Sequence, residues 1–292
     1  MPPGYGARRF FKIYPPLVFS ILLLTPVYIY QSSDYSYLST AAEWLVGVPL
    51  LMPVSGKLNP VMWSLVCEVQ FYLVLPLIMF LFHRVSMRKS IVLIPLLLAV
   101  TGFGLRLLYG AFGVSATLSP NLFMPFLSHL DMFAVGVLVA GLHCMGAIDR
   151  SWARVGNVGL IVVGIMLPVQ AWRAVYSHPN PVDDETVELV FKLAFGCTLL
   201  FVADTACISA RMLCHPLLRY FGVISYEWYL FHQPLLLWTR SLFGSAGGNF
   251  LLYLFIVFTP ILVSLMLAAV VYKYYSLPIL KYGRSRGKAL AI

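Results

Sequence analysis

The sequence predicts an all-α fold, a polytopic membrane bundle of about eight transmembrane helices with both termini cytoplasmic. Two observations predict it. The 292 residues are 60% hydrophobic and only 11% charged, with a mean hydropathy of +0.86, which leaves too few polar groups for a large water-soluble part. The charges are also sorted by position, since Lys and Arg recur in alternate connections between apolar runs. A single integral-membrane domain over residues 1–292 is expected.

A bilayer core about 30 Å thick needs roughly 20 apolar residues in a helix. Eight segments are expected to span, at 13–30, 62–82, 90–109, 122–142, 157–176, 187–208, 221–239 and 250–272. Arg8, Arg9 and Lys12 precede the first run as in a signal peptide, but no small-residue cleavage pattern follows it, so a retained helix is expected. Residues 44–54, WLVGVPLLMPV, are too short to span and read as a re-entrant or interfacial piece of the extracytoplasmic connection 31–61. Pro76, Pro95, Pro168 and Pro234 fall inside spans, which membrane helices tolerate when neighbours re-satisfy the freed backbone groups.

With the N-terminus inside, fifteen of the twenty basic residues face the cytoplasm, among them Arg84, Arg88, Lys89, Arg150, Arg154, Arg211, Arg219 and the C-terminal group from Lys273 to Lys288. The opposite connections hold Asp34, Glu43 and the run Asp183, Asp184, Glu185, Glu188, with Lys57 the main exception. Topology thus accounts for the net charge of +9, and no nucleic acid partner is needed. The five cysteines, Cys67, Cys144, Cys197, Cys207 and Cys214, form no C-x-x-C pair, so neither a disulfide framework nor a metal site is expected.

Ionisable groups inside a span cost about 2.5–3.5 kcal/mol each on insertion scales, so each needs a partner, a wet cavity or a task. At about 1.5 Å of rise per residue, Glu68 falls roughly 9 Å below the outer face and His129 and Asp131 roughly 10–14 Å. Arg106, Arg173 and Lys192 lie near the outer ends of their helices, so these six are expected around one outward-opening cavity. His232 falls near mid-membrane, with Glu227 and Asp204 closer to the cytoplasm. Paired groups fixing helix register would explain any one of them. Together they read as a polar path suited to transport or to chemistry that draws on both sides, in which a histidine can act as general base beside a carboxylate.

Tyr28, Tyr30, Tyr35, Tyr37, Trp44 and Trp63 cluster at the outer boundary, where interfacial anchoring explains them; sugar stacking is the sharper alternative for Trp44 and Trp63. Ser64 lies one turn before Glu68 on the same helix face. A nucleophilic Ser64 has no G-x-S-x-G context to support it.

The stretch MWSLVCEVQFYLVLPL (62–77) resembles the W-S-L-x-x-E-x-x-F-Y motif of acyltransferase family 3, membrane enzymes that O-acylate extracytoplasmic glycans. RRFFKIYPPL (8–17) is similar to that family's R-R-x-x-R-I-x-P opening of its third helix, with Lys12 in place of Arg. LSHLDMFAVGVLVA (127–140) resembles its L-D-x-F-x-x-G-x-x-x-A helix, and FGVISYEWYLFHQPLL (221–236) its G-x-I-S-Y-x-x-Y-L-x-H-x-P segment. The four blocks stand in the family's order.

The resemblance implies transfer of an acyl group, usually acetyl, from acyl-CoA at the cytoplasmic face to a glycan hydroxyl outside. It places Trp63, Ser64, Glu68, Phe71 and Tyr72 on the active-site helix, and Arg8, Arg9 and Lys12 in a basic region suited to coenzyme A phosphates. With the intramembrane groups, this makes Glu68, Ser64, His129 and Asp131 the expected catalytic set, and Trp63, Tyr72, Arg106 and His232 the expected substrate contacts. The expected partners are acyl-CoA, a glycan acceptor and membrane lipid; with no appended extracytoplasmic hydrolase-like domain, the membrane domain is expected to work alone or with a separate protein. The expected location is the inner, or cytoplasmic, membrane.

The chain also departs from the family. Members have ten core helices, the first with an R-x10-H motif, whereas this sequence starts at what corresponds to the third. The expectation is a truncated gene or misplaced start, or else a shortened, inactive or partner-completed protein. Two rival readings stand beside the enzyme. A transporter or flippase predicts an internal repeat, but the W-S-L and I-S-Y blocks are not copies of each other. A catalytically dead membrane scaffold is the other.

Overall fold

The protein is seen in a computed structural model that describes residues 4–32, 36–50, 59, 62–84, 86–112, 124–176, 181–200, 208–243 and 250–289. Among the described residues there is no strand. The helices are α1 (Tyr5–Ser32), α2 (Ser36–Leu50), α3 (Trp63–Arg84), α4 (Met87–Ala111), α5 (Met124–Ser128), α6 (Leu130–Cys144), α7 (Trp152–Tyr176), α8 (Pro181–Thr198), α9 (Ile208–Leu213), α10 (Pro216–Phe243), α11 (Phe250–Val271) and α12 (Leu277–Ala289). A π-helical turn, Tyr272–Ser276, joins α11 to α12 without a break.

The distribution of polarity is inverted relative to a water-soluble protein. Ser20, Asn59, Gln70, Arg106, Asp131 and Glu227 are buried, while Leu22, Leu97 and Leu251 are exposed at 62%, 67% and 76%. Apolar side chains turned outward and polar ones turned inward minimise free energy only when the surroundings are hydrocarbon. The chain is therefore an all-α membrane bundle.

Among the described residues, five stretches are both long and apolar enough to cross a bilayer: Tyr5–Val27, Trp63–Phe82, Arg88–Tyr109, Trp152–Val169 and Leu254–Gly283. Leu130–Cys144 and Leu189–Thr198 are apolar but shorter, and α10 carries Glu227 and His232 along its length. The expected uninterrupted span over 122–142 is a correction: the helix breaks at His129, between α5 and α6. Of the expected re-entrant or interfacial piece at 44–54, residues 44–50 fall in the second half of α2, Ser36–Leu50, and residues 51–54 lie outside the described set. Fifteen residues of helix reach only about 22 Å, short of a span.

The chain divides into two compact units, Met1–Gln70 with Arg219–Ile292, and Phe71–Leu218. In the first, α1 packs against α2 and α12. Tyr14 on α1 donates to the Leu45 carbonyl on α2 at 2.7 Å. Phe11 meets Tyr282 edge to face at 6.0 Å, and Phe19 meets Tyr275 at 4.8 Å. These contacts put the start of α1 and the end of α12 at one end of the unit, as the two basic termini require if both are on the same side of a membrane. In the second unit α4 lies along α6, and α7 along α8.

Candidate active site

In the first unit the site is built on the opening turns of α3 and the middle of α10. Pro234 on α10 has no N–H, so the Leu230 carbonyl one turn earlier loses its helical donor. Asn59, fully buried just before α3, supplies the replacement: its Nδ2 donates to the Leu230 oxygen at 3.0 Å. That bond ties the entry of α3 to the kinked turn of α10. One turn into α3, the Ser64 hydroxyl and the Tyr229 phenol are 2.7 Å apart. Glu68, a further turn along the same face, acts electrostatically on that phenol. His232 Nδ1 is 2.8 Å from the Tyr229 carbonyl, which can only accept, so Nδ1 carries a proton and Nε2 is the ring nitrogen left to meet a substrate. The Tyr229 and His232 rings are 5.7 Å apart. Trp63 is half-buried at the start of α3.

Toward the termini of the same unit, Arg8 and Lys12 are exposed on one face of α1, and Arg9 lies 5.5 Å over the Tyr5 ring. Lys12 also acts electrostatically on Glu227, a buried carboxyl on α10. Tyr226 donates to the Ile13 carbonyl at 2.8 Å and holds α10 against α1 at this level.

The second unit holds the other expected site residues. At His129 the chain turns out of helix, and Met132 N–H bonds back to the His129 carbonyl instead of that of Ser128. The Ser128 carbonyl is thereby released and accepts from Arg106 Nη1 at 2.5 Å. Arg106 also grips Asp131 through both nitrogens, Nη1 to Oδ1 and Nη2 to Oδ2, each at 2.7 Å. Lys192 from α8 donates to the same Oδ2 at 2.8 Å. Arg106 and Asp131 are 5% and 4% exposed, so the planar fork of guanidinium and carboxylate is shielded from water, where such a pair is strong. The Ser128 hydroxyl sits 3.0 Å from His129 Nδ1. Gly102 makes the approach of α4 and α6 possible, because a Cβ there would lie 2.7 Å from the Asp131 backbone nitrogen. Tyr72 is half-buried on α3.

The structure thus gathers Ser64, Glu68 and His232 around Tyr229 in one unit, and Arg106, His129, Asp131 and Lys192 in the other. Asp204, Tyr35 and the side chains of Arg173, Trp44, Tyr28, Tyr30 and Tyr37 lie outside what the structure describes. Among the described residues no group of His, Cys, Asp and Glu is arranged to hold a metal ion. Sequence reasoning missed Asn59 and did not single out Tyr229. The signal for Asn59 was present, since Pro234 orphans a carbonyl that some donor must reach; which donor reaches it depends on a contact across 171 positions of chain.

Comparison with known proteins agrees with this picture. The profile of the acyltransferase 3 family, described as an acyltransferase domain, matches residues 3–271. The chain is 25% identical over 226 residues to the O-acetyltransferase OatA of Staphylococcus aureus strains NCTC 8325 / PS 47, COL and MRSA252. The match takes in 76% of this chain but only 36% of each relative, so the chain spans about a third of their length. No solved structure matches it. With the family's profile running almost from end to end and its blocks meeting in space at Ser64 and Tyr229, the chain belongs to the acyltransferase 3 family.

Proposed function

We propose that the protein is an O-acyltransferase of the inner membrane that moves an acyl group, acetyl in the simplest case, from acyl-CoA to a hydroxyl of an extracytoplasmic glycan. The observation that carries this reading is the Ser64–Tyr229 contact, because it joins the two most distinctive family blocks into one polar site beside Glu68 and His232. In the reaction the glycan oxygen bonds to the thioester carbonyl carbon, the carbon–sulfur bond breaks, and the hydroxyl proton leaves through a base while coenzyme A departs as thiol. His232 is suited to hold the acceptor hydroxyl through Nε2, its other nitrogen being fixed by the Tyr229 carbonyl. Glu68 and Ser64 order the phenol of Tyr229 and the transferring group. Trp63 and Tyr72 offer stacking surfaces for a sugar. Arg8, Arg9 and Lys12 are suited to the donor phosphates. Asp131 serves as a positioning residue, its carboxylate orienting Arg106 and Lys192 beside His129. A separate partner protein would extend the range of acceptors.

The test is O-acetylated glycan in cells lacking the gene and complemented with this chain or its Glu68→Gln variant. Restoration by the wild type and not by the variant supports the reading. Equal restoration by both removes Glu68 from the mechanism, and no restoration by either, with both proteins present in the membrane, removes the activity.

A further inference from the structure

Below the level where the Phe71 and Phe133 rings stack at 3.9 Å, α3 and α6 part and leave a cavity of about 360 Å³. Leu75, Met79 and Phe82 line one side; Val137, Ala140 and Cys144 line the other. Its back wall is rigid: a Cβ on Gly141 would lie 2.9 Å from Ile91 Cγ1, so α4 already sits against the glycine. One turn before Ile91 are Arg88 and Lys89, both exposed, whereas Arg84 at the end of α3 is turned away, its guanidinium 5.1 Å over the Phe80 ring, which is not part of the lining. The apolar slot therefore ends near the two cations that open α4, on the side that the basic loops assign to the cytoplasm.

The chemistry of the lining narrows the occupant. The walls carry almost nothing that bonds to water or sugar, so an alkyl chain is the matching ligand. A slot of this volume is too narrow for a helix about 10 Å across. The cations at its mouth select a chain attached to an anion. We propose that this slot holds one acyl chain of an anionic phospholipid, whose headgroup phosphate rests on Arg88 and Lys89. The site is separate from the acyl-transfer chemistry and does not depend on it.

The test uses the full chain in lipid vesicles containing a trace of phosphatidylglycerol with a photoactivatable diazirine on its acyl chain. Crosslinks are expected in peptides covering both 75–82 and 137–144. Unlabelled phosphatidylglycerol should compete better than phosphatidylcholine of the same chain length, by about fivefold for each cation engaged. Ala140→Trp, or Val137→Phe as a second filling variant, should abolish these crosslinks while labelling of lipid-facing α4 persists. Arg88→Gln and Lys89→Gln together should bring phosphatidylglycerol down to the level of phosphatidylcholine. Equal competition by the two lipids in the wild type, which needs no variant, or crosslinks that survive a filled slot, would overturn the proposal.

Discussion

Asn59 donates its side-chain amide to the Leu230 carbonyl that Pro234 has orphaned, at 3.0 Å, and so holds the turn of α10 that carries His232. An interhelical bond of this kind in a membrane protein contributes about 1 kcal/mol. Asn59→Ala should cost about that much in unfolding experiments in detergent and should also reduce activity. Pro234→Ala restores the N–H that the Leu230 carbonyl lacks, so in that background Asn59→Ala should cost distinctly less. Equal costs in both backgrounds would show that Asn59 acts by some route other than the orphaned carbonyl.

Ser64 and Tyr229 are one hydrogen-bonded unit at 2.7 Å, so their substitutions should not add. Ser64→Ala and Tyr229→Phe are each expected to lower acyl transfer, and the double variant to be little worse than the poorer single one. A coupling of about 1 kcal/mol in a double-mutant cycle on turnover is the expected outcome. Strict additivity would mean the contact is idle in catalysis.

The Asp131 carboxylate balances two buried cations, and removing it strands both. Asp131→Asn should destabilise the protein by about 3–5 kcal/mol, measured by thermal or denaturant unfolding. Arg106→Lys should also be costly, because a point charge cannot reproduce the two parallel bonds to Asp131 together with the one to the Ser128 carbonyl. A neutralising pair, Asp131→Asn with Lys192→Met, is expected to recover part of the loss.

Two glycines two residues apart on α4, and so on opposite faces of it, should behave oppositely. A Cβ at Gly102 meets the Asp131 backbone nitrogen at 2.7 Å, whereas one at Gly104 meets nothing within 4 Å. Gly102→Ala is therefore expected to cost about 1–3 kcal/mol by forcing α4 from α6, and Gly104→Ala to be neutral or mildly stabilising. The melting temperatures of the two variants in the same detergent provide the comparison.

Outside the spans, the Ser151 hydroxyl and backbone N–H, both bonded to the Asp149 carboxylate, hold its carboxyl below the usual carboxylate range. A pKa lowered on folding stabilises the folded state above the unfolded value, near about 4, and that stabilisation is lost as pH falls through the folded one. Asp149→Asn should remove that contribution at neutral pH and so flatten the acid side of the stability curve, leaving stability in strong acid unchanged.

Much of this protein could be read along the chain because a bilayer acts on each segment separately. Hydrocarbon thickness sets helix length, and basic residues at the ends set the sidedness, so helices such as Trp63–Arg84 and Met87–Ala111 were legible as apolar runs with their proper flanks. The W-S-L and I-S-Y blocks were equally legible, since each sets several distinctive residues of the acyltransferase 3 family at fixed spacing within a few turns of one helix. What pairs with what was not. Whether a helix is continuous through His129 depends on whether Arg106 arrives to take the Ser128 carbonyl, and whether α10 tolerates Pro234 depends on Asn59. Helices alike in composition can pack in many registers. A hydrogen bond effective only near 3 Å is satisfied in one of them, so these partners were assigned only when the helices came together.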